Sequence, residues 1–203
     1  MINPVSEVDH LLDLMPASGR MYCKLVSKPE QSTVIDATLP FPWQPSRPIT
    51  INFDLWGELP RPQRDLLLLR TVCWLTAVTW LKPNLLNGLV VAGLLGTVVE
   101  LVQADAVGTV VAATLTAFAG TQLWRNHRSP AQELAADEAA IEVALRRGYT
   151  EVEAARHLLA AIASVAQIEG RPGLSFTELI RSQNLRAIAG LSPVGVPETL
   201  RQP

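Results

Sequence analysis

Apolar residues near the start of the chain recur at helical spacing. Val5, Val8, Leu11, Leu12 and Met15 predict a short amphipathic helix over residues 3–15, ended by Pro16 and Gly19. The pattern then changes. Residues 33–39 and 49–55 are rich in β-branched side chains with partial alternation, which predicts two short strands and a small sheet. Pro40, Pro42, Pro45 and Pro48 lie between them. Proline cannot continue a ladder or a helix, so this stretch reads as a stiff connector or a sheet edge. A long helix starts at Arg61-Pro62, where proline suits a first turn, and runs to about Trp80. Leu66 to Leu69 make it apolar on most sides, as a core helix is. Arg70 falls inside that apolar run, and a buried guanidinium needs a partner.

Two uncharged apolar stretches follow, Leu85 to Val99 and Ala106 to Leu123, divided by a polar link at residues 100–105. With their flanks, both reach the lower length limit for a membrane span. Gly88, Gly93, Gly96, Gly108, Ala112 and Thr116 are the small residues that let membrane helices approach closely. Trp80 and Trp124 sit at the outer ends as interfacial anchors would. Lys82, Arg125 and Arg128 share that side, which puts both termini in the cytoplasm. The expected organisation is thus a helical domain with a small sheet, built from residues 1–81 and 125–203, interrupted by a transmembrane hairpin at 82–124. A pair of buried helices is the competing reading.

Beyond the hairpin the helix signals are local and strong. Ser129, Pro130 and Glu133 open a helix that Gly148 closes. Thr150 with Glu153 and Ser175 with Glu178 are two capping boxes, opening helices to about Ile168 and Ile188. The tail from Gly190, with Pro193 and Pro197, reads as irregular and exposed.

Composition narrows the function classes. The net charge of −2 over 203 residues gives no basic signal for nucleic acid. Cys23 and Cys73 stand in unrelated contexts and read as buried thiols. Met1 to Arg20 has no apolar run of signal-peptide length. His10, His127 and His157 fall on three separate elements, and no phosphate loop, Cys-x-x-Cys pair or serine elbow is present. Pro16, Ser18, Gly19 and Arg20 form an unusual loop that could hold an anion or a partner, against the plainer reading of a turn with solvated cations.

Glu133-Leu134-Ala135-Ala136-Asp137, running on to Gly148-Tyr149, resembles the third-ligand helix of membrane zinc peptidases of the HtpX and Oma type. In that family the glutamate binds zinc, and the aspartate one turn on supports a histidine ligand. A His-Glu-x-x-His helix supplies the rest, and this chain has none. Alignment through the family's lead-in puts Arg70, Thr71 and Trp74 at the two histidines and the glutamate. Arginine stays cationic, tryptophan cannot bind zinc, and threonine cannot replace the general base. The resemblance therefore implies a vestigial site with no metal, no cofactor and no catalytic residue, in which Arg70 pairs with Glu133 or Asp137. The implied fold class is mainly α with a small β element, a metallopeptidase-like helical domain with an inserted two-helix transmembrane hairpin.

Longer strings resemble a cyanobacterial membrane family described only as a domain of unknown function, the DUF3318 type. They are residues 11–20, 61–72, 169–174 and 184–193. That likeness implies a thylakoid or plasma membrane and a link to photosynthetic complexes. The function expected from both likenesses is a non-catalytic pseudo-peptidase that binds other membrane proteins, an assembly or quality-control factor. Its expected partners are a membrane protein complex, a photosystem or its assembly intermediates, and the lipid bilayer. The alternatives are a membrane metallohydrolase with an atypical site, which would be a zinc endopeptidase, and a soluble helical ligand-binding domain.

Overall fold

The elements follow in chain order as α1 (Pro4–Leu14), α2 (Ala17–Tyr22), β1 (Cys23–Ser27), β2 (Ile35–Ala37), β3 (Arg47–Ile51), α3 (Phe53–Trp56), α4 (Arg61–Ala77), α5 (Leu85–Val102), α6 (Ala106–Asn126), α7 (Pro130–Leu145), α8 (Glu151–Ile168) and α9 (Phe176–Ile188), then a 3-10 turn at Glu198–Leu200. This computed structural model describes residues 4–38, 44, 46–77, 85–103, 106–126 and 129–201. The chain forms two compact units, Met1–Val78 with Pro130–Pro203, and Thr79–Ser129.

In the larger unit the leucine run decides the core. Leu66, Leu68, Leu69, Val72 and Leu75 of α4 are fully buried. Helices α1, α2, α7 and α8 pack around α4, which withdraws its middle from water and leaves its ends exposed at Arg61 and Ala77. The sheet has the order β1-β3-β2, with β1 parallel and β2 antiparallel to β3. Pro48 lies in the central strand, opposite Lys24 of β1. The ladder to β2 begins only at Ile49, so the missing N–H falls where that side has no partner. Pro40, Pro42 and Pro45 lie outside the described residues. Asn52 ends the sheet and caps α3. Its side-chain oxygen accepts from the N–H groups of Asp54 and Leu55, and its amide donates to the carbonyls of Pro29 and Gln31.

Both predicted capping boxes are formed. At α9, Glu178 also accepts two 2.8 Å bonds from Arg171 and one from the Ser175 N–H. Burial works to raise its pKa, but these bonds outweigh it and hold Glu178 down at about 2. A carboxylate depressed in the folded state stabilises above its ordinary 4.5, and that contribution is lost as pH falls toward 2. Urea titrations at pH 7 and pH 2.5 should show the wild-type advantage over Glu178→Gln largely gone at the lower pH.

Where a loop at Pro16–Arg20 was expected, the chain turns once more as α2, with Pro16 preceding its first residue. Gly19 is buried, and a Cβ there would lie 2.5 Å from Cγ1 of Val72 on α4. Gly19→Ala should cost about 1–3 kcal/mol by overpacking, and Val72→Ala should recover part of it in a double variant. The tail also differs from expectation. Val196 packs on Leu134 and Ile180, so the segment after α9 is partly tied down.

The smaller unit is the α5–α6 helix pair. Its contact is close at Gly93, where a Cβ would strike the Thr116 side chain. The expected transmembrane hairpin is overturned: among the described residues no helix is long and apolar enough to cross a membrane. Length and composition give the reason. The 18 residues of α5 rise about 27 Å against a hydrocarbon core of about 30 Å, and Asn87 and Glu100 fall among them. Helix α6 is longer, but Gly, Ala and Thr dilute its apolar character and Arg125-Asn126 ends it. Thr97, Thr114 and Thr116 bond the carbonyls one turn back. Integral placement in a thylakoid or plasma membrane with cytoplasmic termini falls with the span. Trp80 and the Trp124 side chain lie outside the described residues. The fold class is α+β, mainly helical with a small three-stranded sheet.

Candidate functional site

Among the polar clusters that interrupt the apolar packing of the larger unit, two bear on function. The first lies where α4, α7 and α9 meet. Arg70 comes from the polar end of the leucine run, and Glu133 and Asp137 come from successive turns of α7. Arg70 pairs through Nη2 with Glu133, and its Nε lies 3.6 Å from Asp137. Asp137 is fully buried and also accepts two 2.8 Å bonds from Arg181 of α9. Two guanidiniums thus face two carboxylates, and the formal charges cancel. Burial, with Arg181 beside it, pushes the Arg70 guanidinium down to about 9, against the pull of Asp137 and Glu178. Glu138, the next residue of α7, accepts from Arg201, which also donates to Asn184.

The other expected positions of this cluster have no ligand chemistry. The Thr71 hydroxyl is spent on the Leu67 carbonyl one turn back. Trp74 is buried, and its indole N–H has no hydrogen-bond partner. A zinc ion needs lone pairs from three side chains, and a guanidinium occupies the space between the two carboxylates. These residues do not fit a zinc ion. Among the described residues, no group of three or more His, Cys, Asp and Glu side chains could hold a metal. Cys23 and Cys73 are free and buried, and burial pushes each thiol up to about 11.

The second cluster lines a cavity of about 380 Å³, widely open to solvent, between the end of α1, the start of α4 and the α7–α8 corner. Asp65 sits at its base, buried on α4. One carboxylate oxygen faces His10 Nε2 at 2.9 Å, and the other accepts from the Tyr149 hydroxyl at 2.8 Å. Arg61 Nη2 lies 3.1 Å from His10 Nδ1. A guanidinium only donates, so Nδ1 accepts and the ring proton on Nε2 points at Asp65. Burial, then the bond to Asp65, pushes the Tyr149 phenol well above its usual range, so it stays a donor. Gly148 makes the corner possible. It has φ +93°, a conformation side chains resist, and it turns Tyr149 back from the end of α7. Arg147 crosses to α1 and donates to the carbonyls of Leu14 and Met15, at 3.1 Å each. That arginine closes the C-terminal end of α1 and forms one wall of the cavity.

Residues 9–149, which carry this cavity from His10 to Tyr149, match a protein family of unknown function, DUF3318. The chain belongs to that family. The DUF3318 match covers more than half of the chain and includes Arg70, Glu133 and Asp137, whereas Arg181 and α9 lie beyond it. No characterised protein and no solved structure matches the chain.

Sequence reasoning missed Arg181 and the whole cavity. One local signal was available. Glu7 and His10 occupy the face of α1 that also carries Leu11 and Leu14, and polar residues on a core face ask for partners. Glu7 finds Arg64 and the Trp56 indole, and His10 finds Asp65. His157 lies edge-on to the Tyr149 ring at 6.3 Å, and His127 is outside the described residues.

Proposed function

We propose that this chain is a non-catalytic ligand-binding domain, with a peptidase-like helix pair closed by arginines in place of a metal. The observation that carries the reading is the α1–α4–α7 cavity. Its volume suits a small metabolite, and its polar groups converge and are held by one another. His10, Asp65 and Tyr149 form a satisfied chain of hydrogen bonds, which makes a rigid wall. The likeness to HtpX-type peptidases enters through Glu133 and Asp137, whose charges Arg70 and Arg181 balance. Thermal-shift and calorimetric screening of the full chain against a small-metabolite library tests the reading. Saturable binding that Tyr149→Phe weakens supports it. Zinc-dependent cleavage of casein by wild type, abolished by Glu133→Gln, removes it in favour of a peptidase.

A second reading rests on the hairpin unit. Leu94, Leu95, Val98, Val110, Leu115 and Phe118 are each more than half exposed. Apolar surface on this scale marks an interaction face. We propose that another protein covers it, and the resemblance to a cyanobacterial family makes a photosynthetic complex the first candidate. Photo-crosslinking from Val98 or Val111 in native cells tests this. A defined adduct from these sites and not from Arg156 supports a partner, and no adduct from either rejects one.

A further inference from the structure

We infer that the cavity selects a small anion, through a carboxylate or phosphate group held by Arg61 and Arg147. The inference rests on the ligand-binding reading above and adds the charge class of the ligand. It follows from which hydrogen bonds the cavity has already spent. Asp65 is the buried carboxylate, and both of its oxygens are taken, one by His10 and one by Tyr149. Those donors are neutral, so Asp65 keeps its charge, but the hydrogen-bonding positions still open in the cavity belong to the arginines. The two arginines are only partly spent. Arg61 gives one hydrogen bond, to His10 Nδ1, and is otherwise exposed. Arg147 gives Nε and Nη2 to the carbonyls of Leu14 and Met15, which leaves Nη1. A guanidinium carries five N–H donors and accepts nothing, so the open positions of both side chains ask for an acceptor. Planar forks of this kind match carboxylate and phosphate oxygens two at a time.

The charged lining is balanced, Arg61 and Arg147 against Asp65 and Asp13, and the helix end tips it toward positive. Arg61 is the first residue of α4, a helix of 17 residues, and its amino end contributes partial positive charge at the cavity. The bonds from Arg147 to two backbone carbonyls fix its guanidinium before a ligand arrives, which lowers the ordering cost of binding. Asp13, exposed, is the remaining free acceptor among the lining side chains. It opposes highly charged anions, so the fit is to one or two negative charges in a volume of about 380 Å³. The match of residues 9–149 to one family contains both arginines and all their partners, so the cavity lies wholly inside the shared segment.

Calorimetry on the full chain with inorganic phosphate, malonate and malonamide tests the inference, because malonate and malonamide share shape and differ in charge. Saturable binding of phosphate or malonate is expected, with malonamide at least tenfold weaker. Arg61→Gln is expected to weaken anion binding about tenfold or more with its circular dichroism unchanged, since Arg61 is exposed and bonds only His10. Arg156→Gln, at an exposed site on α8, should leave binding unaltered. Malonamide binding as tightly as malonate overturns the charge class and leaves a ligand site standing. Equal loss in Arg61→Gln and Arg156→Gln overturns it as a general charge effect. Binding of neither anion, with uncharged library compounds still bound, rejects the anion and keeps the site. No binding by any compound rejects both readings.

Discussion

Alanine at Asp137 is expected to destabilise the larger unit by about 3–5 kcal/mol, as for a buried ion pair stripped of one member. Asp137 is fully buried and receives both donors of Arg181 and the approach of Arg70. Its removal leaves two guanidiniums sharing Glu133 alone. Water cannot reach Arg181 to compensate, because its side chain is only 9% exposed. Arg70→Ala should cost less, although still several times a surface substitution, because Asp137 then keeps Arg181. Taking these charges out of water costs about as much as their mutual attraction returns. A concerted apolar replacement should therefore cost far less than the single variants. Arg70→Met, Glu133→Leu, Asp137→Leu and Arg181→Met together are expected near wild-type stability. Urea unfolding followed by circular dichroism measures all three. A cost under 1 kcal/mol for Asp137→Ala would show that the cluster is not what joins α4, α7 and α9.

Glu7→Ala is expected to cost about 2–4 kcal/mol. One oxygen of Glu7 accepts from Arg64 at 2.7 Å and from the Trp56 indole at 3.0 Å, and all three residues are buried. Without it, a guanidinium and an indole N–H are left in the core unpaired. Arg64 already has one N–H without a partner, at Nε, so it has no local reserve. Glu7→Gln keeps an acceptor for both donors and removes only the charge, so it should retain about half of the difference. His10 lies one turn along α1 from Glu7, so the alanine variant should also loosen the cavity wall and weaken ligand binding. Unfolding by urea gives the first effect and calorimetry the second. An unchanged midpoint for Glu7→Ala would contradict this role.

Elements whose signals are local were legible in the sequence. The leucine run of α4, the boxes at Thr150 and Ser175, and the glycine ending α7 each depend on residues within one or two turns. Strand β1 was not legible, because Cys23–Ser27 is short and mostly uncovered, and its register depends on Arg47–Ile51 far along the chain. The hairpin was misread for a physical reason. Small residues at helix contacts, such as Gly93 against Thr116, serve close packing of any helix pair and so do not by themselves mark a membrane span. Helix spacing puts Glu133 and Asp137 on one face of α7 and the resemblance to zinc peptidases implied Arg70 as their partner, but Arg181 was not legible, since α9 brings it from 44 residues away. The cavity was least legible of all. His10, Arg61, Asp65, Arg147 and Tyr149 meet only after α1, α4 and the α7–α8 corner have packed.

The central claim is that Arg70 and Arg181 satisfy Glu133 and Asp137 in place of a metal and that the chain acts by binding. Native mass spectrometry of the full chain, purified from its own cells without chelator and then given one equivalent of zinc, tests it most directly. The account predicts a small-molecule adduct that Arg61→Gln loses, and no retained zinc. One zinc per chain, released by Asp137→Asn, would contradict it and return Glu133 and Asp137 to the role of a metal site.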